Sequence, residues 1–190
     1  MAKIFCIIGK SGTGKDTIFN RLKNDSRLNT IVGYTTRPMR ENEVDGQEYF
    51  FVDRERLEEL KKQGKVIECR DYNTVHGIWS YFTVADNQIK EDNNYIYIAT
   101  LESFNKLVDY YGSDSVIPIY IEVDDGIRLE RALQREQREN NPKYKELCRR
   151  FIADCDDFSE ENIKQAGIEK RFVNDNLDNC VKEIQEYIFS

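Results

Sequence analysis

The sequence predicts an α/β domain in which a parallel sheet is covered by helices on both faces, and three observations predict it. Apolar strand-like runs alternate with helical patterns towards both ends of the chain, an order that builds a parallel sheet. The first run, Ile4 to Ile8, stops at Gly9, and a helical pattern starts at Lys15. Between about residues 34 and 82 the alternation gives way to a β-rich stretch that reads as an insertion. At 190 residues there is material for one well-packed core with small appended subdomains.

Taken in order, Ile4 to Ile8 is a buried-type strand, and Thr17, Ile18, Phe19, Arg21 and Leu22 follow Lys15 in the first helix. Ile31 to Tyr34 is a short strand. Residues 35–52, TTRPMRENEVDGQEYFFV, are polar, turn at Asp45-Gly46 and become aromatic. Asp-Gly ahead of Glu48 to Val52 predicts a hairpin or tight turn. Asp53 caps a helix from Arg54 to Gln63 that Gly64 ends. Val66 to Arg70 and Trp79 to Phe82 are further strands of the inserted unit. Thr83 with Asp86 has the form of a capping box and predicts another helix. Tyr95 to Ala99 is a strand, Leu101 to Tyr111 a helix, and Val116 to Val123 a strand again. Pro118 forfeits a ladder donor, so this strand is expected near a sheet edge or to begin after the proline. Asp124 caps a charged helix, Ile127 to Asn140, that Pro142 breaks, and a second helix starts at about Tyr144. Ile168 to Val173 is the last strand. Leu177 to Phe189 closes the chain as an amphipathic helix with Leu177, Val181, Ile184 and Ile188 on one face.

The loop between the first strand and the first helix carries the clearest chemistry. Its residues are Gly9, Lys10, Ser11, Gly12, Thr13, Gly14, Lys15, Asp16 and Thr17. Glycines at 9, 12 and 14 let the backbone turn its N–H groups inward, so a polyphosphate can rest on them and on the positive end of the helix. Lys15 adds a mobile point charge for the β- and γ-phosphates. The pattern G-x-x-x-x-G-K is met, but the next position, normally Ser or Thr, is Asp16. Either the Thr17 hydroxyl or the Asp16 carboxylate can serve a hard, oxygen-seeking Mg²⁺.

Composition narrows the function classes. A net charge of −7 and a pI near 5.0 argue against broad nucleic-acid binding, which needs a positive surface field. The stretch before Gly9 is too short in apolar residues for a secretory signal or a membrane span, so a cytoplasmic protein without membrane contact is expected. Five scattered cysteines (Cys6, Cys69, Cys148, Cys155 and Cys180) read as reduced thiols. With one histidine in the chain, a zinc site built on several histidines is excluded.

Four places in order give the chain its resemblance to the guanylate kinase family: GKSGTGKD, the segment TTRPMRENEVDGQEYFFV, the strand end VIE at Val66 to Glu68, and FVNDNLD at Phe172 to Asp178. The resemblance implies a P-loop kinase core with a parallel sheet flanked by helices, plus a small β-rich nucleotide-monophosphate subdomain and a helical lid. The core would be residues 1–33, 83–133 and 151–190, the insertion 34–82, and the lid about 134–150. It implies transfer of the ATP γ-phosphate to GMP, with Mg²⁺ as cofactor. Arg37, Arg40 and Tyr49 would match the groups that hold the acceptor phosphate, two arginine forks and a phenol being suited to a dianion. Glu68 would match the carboxylate that accepts hydrogen bonds from guanine N1–H and N2. Arg135 and Arg150 match the cations of the lid, with Arg138 and Arg149 as rivals; the other charges of that helix, Arg128 and Arg131 included, read as an exposed salt-bridged face. Catalysis would thus fall to Lys15, Arg37, Arg135 and Arg150. Asn174 and Asp175 match the loop near the donor adenine.

Three positions depart from the family pattern. Gly33 stands where the family has a serine whose hydroxyl contacts guanine O6. A tyrosine before a glycine is matched by His76 before Gly77, and an acidic D-x-D strand end by Thr100 and Glu102. Two other readings stay open: a kinase of the same fold acting on another phosphorylated acceptor, and an inactive module of this fold that binds a partner protein. A homo-oligomer also stays open.

Overall fold

The structure is a computed structural model, and it describes residues 1–74 and 77–190. Its main sheet has five strands in the order β2-β7-β1-β8-β9, with β1 Lys3–Ile8, β2 Leu28–Thr30, β7 Asn94–Ile98, β8 Val116–Glu122 and β9 Arg171–Val173. All four strand pairings are parallel. Because side chains alternate along a strand, β1 sends Ile4, Cys6 and Ile8 into one apolar layer and Phe5 and Ile7 into the other. The first layer is completed by Phe104 and Leu107 of α3 (Leu101–Tyr111). The second is completed by Ile18 and Leu22 of α1 (Lys15–Leu22) and by Cys180, Ile184 and Ile188 of α7 (Leu177–Phe189). Burying each such aliphatic side chain contributes about 1.5–3 kcal/mol, which makes the sheet a rigid floor for whatever stands at its strand ends.

A second sheet, β4-β3-β6-β5, consists of β3 Tyr34–Thr35, β4 Phe50–Phe51, β5 Val66–Thr74 and β6 Gly77–Val84. It has its own apolar cluster of Leu57, Leu60, Phe82 and Val84, the two leucines coming from α2 (Arg54–Lys62). Asp53 accepts a hydrogen bond from Arg56 N and starts α2, as expected of an N-cap. The aromatic stretch does not form a hairpin, however: β4 lies parallel to β3, and the turn is closed by Gly46 N donating to Tyr49 O.

Several expectations are corrected. Ile31 to Gly33 is not strand; β2 ends before it and β3 begins after it. Thr83 and Asp86 start no helix. Thr83 is a buried residue of β6, and Asp86 accepts from the Tyr34 hydroxyl, so strand pairing and burial override the local capping pattern. β8 does not begin after Pro118 but contains it, and the strand is next to the sheet edge, the other place expected for the proline. Ser115 O accepts from Ile4 N and Glu122 O from Asn174 N, so the even-numbered residues of β8 face β9. Register with β9 begins only at Tyr120, which leaves Pro118 with no ladder bond to donate.

The charged helix α4 is Asp125–Glu136, shorter than predicted, and α5 (Tyr144–Asp157) and α6 (Glu160–Gln165) follow. Among the described residues no helix is long and apolar enough to cross a membrane, and all five cysteines are free.

Candidate active site

The glycine-rich loop joins β1 to α1 at the carboxyl edge of the main sheet. Gly9, Gly12 and Gly14 have φ of 153°, 85° and 89°. A Cβ on Gly9 would come within 2.5 Å of Ile121 O, and one on Gly14 within 2.6 Å of the Asn174 amide. The tight loop therefore needs glycine on both steric and conformational grounds. Gly14 is also the N-cap of α1 and supplies no side-chain cap. The first amides of that helix are left to bind an anion.

The loop is braced from within and from below. Lys10 O accepts from Thr13 Oγ1 at 2.8 Å and from Lys15 Nζ at 3.0 Å. Lys10 Nζ is held by Asp125 at 3.2 Å. The buried Asn174 donates from Nδ2 to Thr13 O at 2.8 Å. Asn174 thus supports the cradle from beneath, while Asp175 is exposed and accepts from Asn176 N. Burial pushes the Lys15 ammonium below the ordinary lysine value; Asp16 and Asp154 counter this, and Arg128 and Arg135 add to it.

Of the cavities that open on the loop among the described residues, two are lined by Lys15. A smaller one of about 270 Å³ is lined by Lys15, Asp16, Thr17, Arg131, Arg135 and Arg150 among others. The structure thus brings the two lid arginines singled out from sequence to the phosphate cradle. Arg149 instead pairs with Glu146 at 2.7 Å, and Arg138 does not line this cavity. Arg131, first read as part of a solvated face, belongs here too. Arg128 is a correction as well, being 1% exposed: its guanidinium donates to Ser11 O at 2.9 Å and to Asp125 at 2.9 Å, and stacks over Phe151. The spacing Arg128, Arg131, Arg135 was the available signal, since i, i+3 and i+7 share one helix face.

The larger cavity, about 920 Å³, runs from Gly9, Ser11 and Lys15 to Tyr49, Arg70 and Thr100. Tyr72 and Tyr81 lie on the same wall. Tyr49 and Thr100, both singled out from the sequence, line this one cavity. Burial raises the Tyr49 phenol above its ordinary value. Arg37 is not on the wall. It is 4% exposed and donates to both oxygens of Glu43, at 2.9 and 2.7 Å, to Pro38 O at 2.7 Å and to Tyr81 Oη at 3.2 Å. Arg40 is exposed, and its backbone N donates to Glu43 at 2.8 Å. Glu68 is 6% exposed and lies behind Arg70. Gly77 is exposed at the far end of the β5–β6 hairpin, away from the cavity wall, and His76 lies outside the described residues.

No cluster of three or more histidine, cysteine or acidic side chains able to hold a metal occurs among the described residues. Asp16 and Thr17 are exposed at the first turn of α1 and face the cavity that the cradle opens into. This fits an ion held by one or two protein oxygens together with phosphate and water, which is how Mg²⁺ is bound in such sites.

A family model described as guanylate kinase matches residues 1–190. The guanylate kinase of Porphyromonas gingivalis is 29% identical over 194 residues, covering 99% of this chain and 97% of that one. That of Malacoplasma penetrans is 31% identical over 155 residues, 78% of this chain and 76% of that one. A solved structure of guanylate kinase from Anaplasma phagocytophilum, 22% identical, superposes with a TM-score of 0.65 over 99% of this chain and 85% of that chain, and so shares the fold. With a cradle at the strand ends, cationic helices over it and a family match along its whole length, the chain belongs to the guanylate kinase family.

Proposed function

We propose that the chain is an ATP-dependent phosphotransferase that moves the γ-phosphoryl group of ATP to GMP, giving ADP and GDP. One observation carries the geometry: Lys15 and Ser11 line both cavities, so the ammonium stands where a donor chain on one side meets an acceptor on the other. In-line transfer asks for little covalent chemistry and much positioning and charge stabilisation. The loop amides and Lys15 hold the donor phosphates. Arg131, Arg135 and Arg150 neutralise the charge that spreads over the moving phosphoryl oxygens, and closing the lid, about residues 134–150, over the core excludes water. Tyr49 receives the acceptor phosphate, and Arg40 and Arg37 close on it, Arg37 by exchanging Glu43 for the incoming dianion. Asp16 and Thr17 are the groups that would hold Mg²⁺, which would supply positive charge to neutralise the donor phosphates. Cytoplasmic purine-nucleotide metabolism is the setting this reading implies.

A coupled ADP-release assay with ATP and Mg²⁺, presenting GMP, dGMP, AMP, CMP and UMP in parallel, tests it. Saturable turnover on GMP that Lys15→Ala abolishes is the expected result. Turnover on a different acceptor with GMP inert would shift the specificity, and inertness on all acceptors with ATP still bound would leave a binding module.

A further inference from the structure

Glu68 and Arg70 are two residues apart on β5 and therefore share a face. Glu68 Oε1 accepts from Thr83 Oγ1 at 2.9 Å, and Oε2 accepts from Arg70 Nε at 3.1 Å. Thr83 also shares a 3.0 Å hydrogen bond with the buried Tyr97 hydroxyl, so the carboxylate is held from behind. Arg70 Nη1 donates to Thr100 Oγ1 at 3.3 Å, and among the described residues Nη2 has no partner. The guanidinium thus spans Thr100 and Glu68, which the resemblance puts at the acceptor base; Arg70 and Thr100 line the cavity and Glu68 does not.

Guanine presents unlike groups along its edge: O6 and N7 accept, while N1–H and the N2 amino group donate. A carboxylate satisfies only the donors. At Gly33 no side chain is available, and a Cβ there would come 3.3 Å from Tyr97 Oη. The Thr100 oxygen already accepts from Ser103 N, as the cap of α3, and from Arg70. We propose that Arg70 is a specificity-determining residue that reads the 6-oxo group of the acceptor base, Nη2 donating to O6 while the buried Glu68 carboxylate orients the guanidinium from behind. Adenine would turn its 6-amino donor towards a cation that can only donate, so the same residue rejects it. This inference rests on the guanylate kinase reading.

The test compares kcat/KM of the full chain on GMP, IMP and 6-thioguanosine 5′-monophosphate, for wild type, Arg70→Met and Arg70→Lys, with ATP and Mg²⁺ and with folding checked by circular dichroism. The thio analogue keeps N1–H and N2 but replaces O6 by a weak acceptor. Arg70→Met should lower kcat/KM roughly 10- to 100-fold on GMP and on IMP, the worth of a charge-assisted hydrogen bond, and move the thio analogue by less than about threefold. Arg70→Lys, which keeps charge and volume, should show the same selective loss in smaller measure and carries the test if the methionine variant misfolds. Equal losses on GMP and the thio analogue would overturn the proposal, since Arg70 would then act on the phosphate or merely brace Glu68. A thio analogue that gains while GMP holds would also overturn it, by showing steric relief. Wild type inert on GMP would instead sink the kinase reading itself, a result separable from the other two.

Discussion

The Arg37–Glu43 pair gives the sharpest quantitative prediction. Arg37 has a side chain only 3% exposed, and Glu43, at 14%, accepts from both of its Nη groups and from Arg40 N. Glu43→Gln keeps the shape but replaces one acceptor oxygen by an NH₂ that faces the guanidinium. The arginine would keep Pro38 O and Tyr81 Oη, so it is not stranded altogether. Breaking a fully buried pair costs roughly 3–5 kcal/mol; with these residual bonds and Glu43 at the rim, about 3 kcal/mol is expected. For a chain of this size that is a fall in Tm of about 6–12 °C. Urea unfolding followed by circular dichroism measures it, and the pH dependence supplies a second check. Hydrogen bonding from Arg37 holds the Glu43 carboxyl below its ordinary 4.5. The pair's contribution is therefore complete above that value and is lost as pH falls through the depressed one. The gap between wild type and Glu43→Gln should be constant from pH 7 down to about 4.5 and close below it, other carboxylates cancelling in the difference. A gap under about 0.5 kcal/mol at pH 7 would falsify the assignment of this pair as a structural lock.

Three further outcomes are expected. Because burial lowers Lys15, the alkaline limb of kcat/KM for ATP should fall below the ordinary lysine value of 10.5, and Lys15→Arg, always charged, should remove the limb whatever its effect on rate. Asn174→Ala orphans the Thr13 carbonyl at the root of the cradle and should cost about 1–3 kcal/mol of stability while raising KM for ATP; unchanged values on both counts would exclude the bracing role. Chelation with EDTA should abolish turnover and added Mg²⁺ restore it, and combining Asp16→Asn with Thr17→Ala should raise the Mg²⁺ concentration needed for half-maximal rate; an unmoved Mg²⁺ titration would place the ion elsewhere.

What could be read from the sequence was whatever local chemistry decides. Helices α3 and α7 begin where predicted, because Thr100 and Asn176 cap their starts, and α3 ends where predicted, at Gly112. The cradle was legible for a similar reason: nine consecutive residues carry it. Thr83 and Asp86 misled because the same spacing that caps a helix also fits a strand end, and burial against Glu68 and Tyr97 decided the matter. The acceptor wall was only half visible. Tyr49 belongs to a contiguous motif, whereas Arg70 and Tyr81 meet through the β5–β6 register, where they stand opposite each other. A register of that kind is set by the pairing of two distant segments, and no local pattern announces it.

Arg128 shows what such tertiary choices do for function. The charges at 128 and 131 read as a solvated face, yet the structure turns that face inward. Arg128 goes fully into the protein, and Arg131 and Arg135 reach the cavity wall. The buried guanidinium ties α4 to the loop through Ser11 O, while the Ser11 amide donates to Asp154 of α5 at 2.6 Å. One residue of the cradle is thereby bonded to both helices that carry the cavity's arginines. Since burying an unpaired arginine is costly, these bonds are also what permits Arg128 to sit at 1% exposure. The spacing between the phosphate cradle and the cations above it is therefore set by the same contacts that make the burial of Arg128 tolerable.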